Sequence, residues 1–229
     1  MTATVMAALF DVDGTLVDSN YLHAVTWWEA FAQAGHEVPM AAIHRAIGMG
    51  SDQLLDALLP ASRDRDTDPG IRAAHGALYA TYWSRLRPLP RAPELLRACR
   101  KSGLRVVLAS SADPRELAVL RGVLDAEDVI EEALSAADVS RSKPAPDLVQ
   151  VALRKARIPP RQAVFVGDTV WDVQACQRAG VPCIGLRSGG ISTGELLDAG
   201  AAAVFADPAD LLGSTAGRLT EALPRQPGS

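Results

Sequence analysis

An α/β fold with an inserted all-helical subdomain is what the sequence predicts, on three observations. A short apolar run, Val5 to Phe10, ends abruptly in Asp11-Val12-Asp13-Gly14-Thr15. From about Tyr21 to Arg87 the apolar periodicity is helical only. From Pro93 onward, short apolar runs alternate with helical segments of roughly ten residues, the pattern of βαβ units and a parallel sheet.

The elements follow in order. The first ten residues read as a central parallel strand, which is buried on both faces and so needs no alternation. Ala24, Val25, Trp27, Trp28, Phe31 and Ala32 recur at helical spacing, and Gly35 stops that helix. Pro39 opens a second helix. Ser51 is expected to cap a third, which Pro60 terminates. Ser62 to Pro69 reads as a loop and Ile71 to Leu86 as a longer helix, and the clustered Pro88, Pro90 and Pro93 read as a hinge. Past the hinge the sequence gives helix Pro93–Ser102 ended by Gly103, strand Leu104–Ala109, and a helix from its Asp113 cap to Leu124. A weak strand near Ala133-Leu134, helix Pro146–Ala156, strand Ala163–Val166, helix Val170–Ala179 and strand Pro182–Leu186 come next. Glu195–Ala199, Ala203–Phe205 and Pro208–Leu212 complete the run. The expected architecture is a Rossmann-like, three-layer parallel-sheet core of residues 1–18 and 90–222, a helical subdomain of residues 19–89, and a disordered tail over 223–229.

Composition narrows the function classes. With 229 residues, 48% hydrophobic and 22% charged, the chain is globular rather than disordered. A net charge of −4 without a Lys/Arg cluster argues against a dedicated nucleic-acid binder. No apolar run approaches the roughly 18 residues of a membrane span. The N-terminal run lacks a basic flank and stops at Asp11, so no signal peptide is expected. Cys99, Cys176 and Cys183 are odd in number and show no metal spacing, which fits a reducing cytoplasm. A monomer is the default expectation, with a homodimer as the alternative.

Four polar clusters follow predicted strands: Asp11-x-Asp13-Gly14-Thr15, Ser110-Ser111, Ser142-Lys143-Pro144, and Gly167-Asp168-Thr169-Val170-Trp171-Asp172. In an open α/β sheet, ligands bind beyond the carboxyl ends of the strands, so these clusters are expected to meet in one crevice. Four carboxylates can share a site only if cations offset their repulsion. Mg²⁺ is the hard, oxygen-liganded ion that also binds phosphate, and a lysine with serine hydroxyls suits the remaining phosphoryl oxygens.

Phe10 to Ser19 resembles the first motif of the haloacid dehalogenase superfamily. Ser110, Lys143-Pro144 and Gly167 to Asp172 resemble its second, third and fourth motifs, in the required order. The helical insert between the first two motifs is similar to the cap of phosphoglycolate phosphatase and β-phosphoglucomutase relatives. The resemblance implies that Asp11 is the nucleophile and forms a phosphoaspartyl intermediate. It implies that Asp13 protonates the leaving oxygen and then takes a proton from the hydrolytic water. Mg²⁺ would be held by the Asp11 carboxylate, the Asp13 carbonyl and Asp168, with Asp172 as a further ligand or its supporting partner. Lys143 would offset charge at Asp11 and, with Ser110 or Ser111 and the Gly14-Thr15 turn, bind the phosphoryl group. Candidate cap contacts are His23, Trp27, Met49 and Ser51.

Retention of Asp13 disfavours dehalogenase chemistry, and the absence of lysine between Ser19 and Leu89 disfavours a Schiff-base phosphonatase. Ser51 stands where a phosphosugar mutase would be expected to carry a phosphate-binding arginine. The reading is therefore a Mg²⁺-dependent phosphatase of a small phosphorylated metabolite. A β-phosphoglucomutase-like mutase and an inactive binding module are the alternatives.

Overall fold

The computed structural model describes residues 6–214, so the predicted tail and the end of the predicted core lie outside the described residues. The chain opens with β1 (Ala7–Phe10) and then leaves the sheet for α1 (Asn20–Gln33), α2 (Met40–Ala46), α3 (Ser51–Leu58) and α4 (Asp68–Ala80). It returns as α5 (Ala92–Lys101), β2 (Arg105–Ala109), α6 (Pro114–Leu124), β3 (Ile130–Leu134), α7 (Asp147–Ala156), β4 (Ala163–Gly167), α8 (Val170–Ala179), β5 (Cys183–Leu186), α9 (Thr193–Asp198), β6 (Ala203–Phe205) and α10 (Pro208–Ser214).

Among the described residues the six strands form one parallel sheet in the order β3-β2-β1-β4-β5-β6. All four residues of β1 are 0% exposed. Ala8 and Phe10 pack with Val106, Leu108, Val164 and Val166 under α5, α6 and α10. Ala7 and Leu9 pack with Val107, Ala109, Ala163 and Phe165 under α7, α8 and α9. The period of two splits one apolar run between the two faces, which is the expected three-layer arrangement. After β3 the chain crosses back to the far side of β1, so strand order reverses between β1 and β4. Such a reversal opens the crevice in which α/β proteins bind ligands.

The insert has a separate core. Ala24, Trp27 and Phe31 of α1 pack with Ile43 of α2, Leu54 and Leu55 of α3 and Ile71 of α4. The predicted hinge is a paired crossing: Val17 bridges Pro88, Asp18 N–H donates to the Arg87 carbonyl at 3.0 Å, and Leu89 N–H donates to the Leu16 carbonyl at 2.8 Å.

Two local readings are corrected. Ser51 is the first helical residue of α3 and not its cap; Gly50 holds the cap position. A Cβ at Gly50 would stand 2.1 Å from Cβ of Ser142, so the approach of the core loop excludes a side chain there. The helix predicted over 71–86 runs instead from Asp68 to Ala80, followed by a 3₁₀ turn over Trp83–Arg85. Pro69 fits the first helical turn, where its missing N–H would have no partner anyway. At the other end the Leu78 carbonyl accepts both the N–H and the hydroxyl of Thr81, which closes the last turn. No helix among the described residues is long and apolar enough to cross a membrane.

Candidate active site

The parallel registers of β1 and β4 are flush, with Phe10 beside Val166, and Asp11 N–H donates to the Val166 carbonyl at 2.9 Å. Asp11 directly follows β1, and Asp168 directly follows Gly167, the last residue of β4, so both leave neighbouring strands at the same sheet edge. Asp168 is free to face inward because Thr169 takes the N-cap of α8. The Thr169 hydroxyl accepts from Asp172 N–H, while Asp172 Oδ2 accepts from the Thr169 N–H and hydroxyl at 3.1 and 2.6 Å. That reciprocal cap leaves Asp172 Oδ1 facing Lys143.

Lys143 is 0% exposed, with Nζ 2.5 Å from Asp11 Oδ1 and 2.7 Å from Asp172 Oδ1. Thr15 donates to Asp168 Oδ1 at 2.7 Å and Asn20 to Asp168 Oδ2 at 2.7 Å. Gly14 adopts φ +71, and a Cβ there would lie 2.3 Å from Asn20 Nδ2 and 2.4 Å from Asp168 Oδ2. Only glycine lets the turn after β1 press so closely on Asp168.

One oxygen each of Asp11, Asp168 and Asp172 lies within 4.8 Å of the others, and all three side chains are buried. One ammonium pairs with two of the three carboxylates, and the third, Asp168, has only the neutral donors Thr15 and Asn20. Burial and the charges of Asp172 and Asp13 outweigh Lys143 and push Asp11 up to about 7. Burial, with Asp11 and Asp172, pushes Asp168 well above the usual carboxylate range. Burial opposes the charge on Lys143, yet its two carboxylate partners hold it firmly protonated. A divalent cation of oxygen-ligand type fits this surplus of negative charge.

Asp13 belongs to a second cluster. Its Oδ1 accepts from Ser19 at 2.6 Å and lies 3.3 Å from His23 Nε2, which is itself 3.2 Å from Glu116 Oε1. Burial opposes charge on Asp13, but the contact with His23 prevails and holds its carboxyl below the usual range. Burial likewise opposes charge on His23, but Asp13 and Glu116 raise it to about 10. His75, whose Nε2 is 3.2 Å from His23 Nδ1, is driven well down by burial and by the neighbouring imidazolium. It thus accepts the second proton of His23.

Above Asp11 and Asp13 lies a cavity of about 300 Å³. His23, Trp27, Met49 and Ser51, the candidate cap contacts, all line it. Trp27 also stacks on His75 with centroids 4.0 Å apart, whereas Trp28 is 44% exposed. Ser111 lines the cavity and donates to the Gly48 carbonyl at 3.3 Å. Ser110 is buried, and its Oγ accepts the Ala112 N–H at 3.0 Å, which leaves its own proton to donate. The sequence reading missed Ser19, Asn20, Arg72, His75 and Glu116. Arg72 is a cavity residue with no hydrogen bond or ion pair among the described residues.

The insert is seated on the core. Ser142 donates to Asp52 at 2.7 Å, Trp171 Nε1 donates to the Arg45 carbonyl at 2.9 Å, and a Cβ on Gly48 would be 2.7 Å from the Thr169 side chain. The site is thereby roofed by a part of the chain with its own core and a narrow connection.

The chain is 31% identical over 214 residues to phosphoglycolate phosphatase of Escherichia coli (strain K12), covering 82% of this chain and 83% of that enzyme. It is 30% identical over 203 residues to Protein SUPPRESSOR OF QUENCHING 1, chloroplastic, of Arabidopsis thaliana, covering 86% of this chain but only 19% of that longer protein. The crystal structure of a hydrolase from Pseudomonas syringae superimposes with a TM-score of 0.89 at 32% identity, covering 96% of this chain and 100% of that one. Residues 5–180 match the haloacid dehalogenase-like hydrolase family, to which this chain belongs.

Proposed function

We propose that the protein is a Mg²⁺-dependent phosphatase of small phosphate monoesters that acts through a phosphoaspartate on Asp11. The observation that carries this reading is the Asp11–Lys143 pair at the floor of a roofed cavity, with Asp13 beside it. Asp11, Asp168 and the Asp13 carbonyl would hold the ion, and Asp172 would support them through Lys143. Bound there, Mg²⁺ supplies charge neutralisation to the phosphoryl oxygens.

Asp11 Oδ attacks phosphorus as the ester oxygen departs, and Lys143 and a serine hydroxyl after β2 hold the equatorial oxygens. The departing oxygen needs a proton, and the Asp13–His23 pair stores one in the shared contact at 3.3 Å. Asp13 then takes a proton from the water that cleaves the phosphoaspartate, returning the pair to its starting state. The roof keeps bulk water away from this exchange.

Arg72 favours an ester whose leaving group carries a second anionic or hydroxylated end, such as a phosphoglycolate-like acid or a sugar phosphate. The same arginine supports the phosphosugar mutase as a second reading, since it offers a cation for a second phosphate that Ser51 cannot. Phosphate release from a panel of small esters, with Mg²⁺ and with EDTA, decides the matter. Wild type is expected to release phosphate only with Mg²⁺, and Asp11→Asn to lose at least a thousandfold. Sustained interconversion of sugar phosphates without net phosphate release would replace the phosphatase by the mutase.

A further inference from the structure

Three donor atoms converge at the seam between insert and core, beside Asp11 but separate from the donor set of Asp11, Asp168 and Asp172. His23 Nε2 lies 3.3 Å from Asp13 Oδ1 and 3.2 Å from Glu116 Oε1, and the three atoms fall within 4.8 Å of one another. Bonds of about 2.0–2.1 Å around a tetrahedral ion place its ligands about 3.3 Å apart. Two of the three edges already have that length. Glu116 Oε1 is a buried oxygen without a hydrogen bond, because the His23 N–H is directed at Asp13. On the far side of the ring, His75 Nε2 takes up His23 Nδ1 at 3.2 Å, so Nε2 is the nitrogen presented to the cluster. A partner of that kind is what orients a metal-binding imidazole.

We infer that Asp13, His23 and Glu116 form a second cation site that takes Zn²⁺ or a similar imidazole-binding divalent ion. Its occupation inhibits the enzyme. Two carboxylates and a neutral imidazole balance a charge of two, and the ion takes the place of the His23 proton. Mg²⁺ prefers all-oxygen ligands with several waters, so this donor set discriminates against it. The three side chains all border the cavity, which gives the ion a path and a water as fourth ligand. They come from the loop after β1, from α1 in the insert and from α6 in the core, so the ion ties the insert down. The inhibition rests on the role proposed for Asp13, whereas the binding does not.

The test titrates Zn²⁺ into the full chain in saturating Mg²⁺, with a chromophoric chelator as competitor and phosphate release read in parallel. The expected result is one Zn²⁺ per chain that excess Mg²⁺ does not displace. Glu116→Gln and Glu116→Ala are expected to weaken it at least tenfold, while Asp168→Asn leaves it unchanged. Inhibition of wild type and the two Glu116 variants, scaled to each one's own Zn²⁺-free rate, follows the same order. Zn²⁺ that Mg²⁺ displaces and that responds to Asp168→Asn rather than Glu116 lies in the carboxylate site and overturns the inference. Absence of binding in folded wild type overturns it as well. A chain that cleaves no ester still reports binding through the chelator, so failure of the two readings is distinguished.

Discussion

Burial would strip the charge from His23, but Asp13 and Glu116 restore it and carry its pKa from 6.5 to about 10. A group raised on folding contributes stability that is complete below its unfolded pKa and disappears as pH climbs through its folded one. The His23 contribution is therefore full below about pH 6.5 and lost toward pH 10. Thermal unfolding as a function of pH should show a wild-type decline over that interval that His23→Gln lacks; parallel profiles would remove His23 from the account. Asp11, Asp13 and Asp168 were legible because each follows an apolar run by one to three residues, and strand ends are where this fold collects ligands. Lys143 stands nine residues past β3 and was legible only through the Ser-Lys-Pro cluster and its order among the motifs. Arg72, His75 and Glu116 were not. Arg72 and His75 share a helix face at a spacing of three, a weak signal open to reading. Glu116 looks like any acidic residue in a first helical turn, and only the docking of α6 against α1 gives it a partner.

Among the elements, α3 shows how a contact remote in sequence overrides a local rule. Ser51 is the better capping residue, yet Gly50 takes the place because Ser142, in a core loop, leaves no room for a Cβ. Its φ of −68 suits any residue, so Gly50→Ala should leave the insert folded and merely prevent it from seating. The expected outcome is a fall in kcat/KM of at least tenfold with a stability change under about 1 kcal/mol, read by steady-state kinetics and urea unfolding. Wild-type kinetics in that variant would show that the fit of Gly50 to Ser142 is immaterial to turnover. The start of α4 was misread for a related reason: proline is a loop signal in isolation and a first-turn residue once the helix has something to pack against.

For the whole molecule, the parallel sheet and the place of the insert were legible from alternation and its interruption. The strand order was not, because every strand is a similar short apolar run and the crossovers decide which lie side by side. That order sets Asp11 and Asp168 together and creates their surplus charge. Since burial and the neighbouring carboxylates raise Asp11 to about 7, protons compete with the cation below that pH. The rise in melting temperature on adding Mg²⁺ should accordingly shrink between pH 8 and pH 6, measured by calorimetry in EDTA and in Mg²⁺. An increment that does not vary with pH would mean that Asp11 is not among the ligands.

The paired crossing at Val17 and Pro88 has an evolutionary consequence. The chain departs from the sheet and rejoins it through a doorway a single backbone pairing wide. The span the core must bridge is the same whatever lies beyond that doorway. What lies beyond Ser19, Asn20 and His23, which hold Asp13 and Asp168 from the start of α1, can be lengthened, trimmed or exchanged for another roof without disturbing strand register or the carboxylates beneath. The roof can thus be rewritten in one stretch of sequence while the carboxylates and Lys143 stay in another, joined through the first turn of α1.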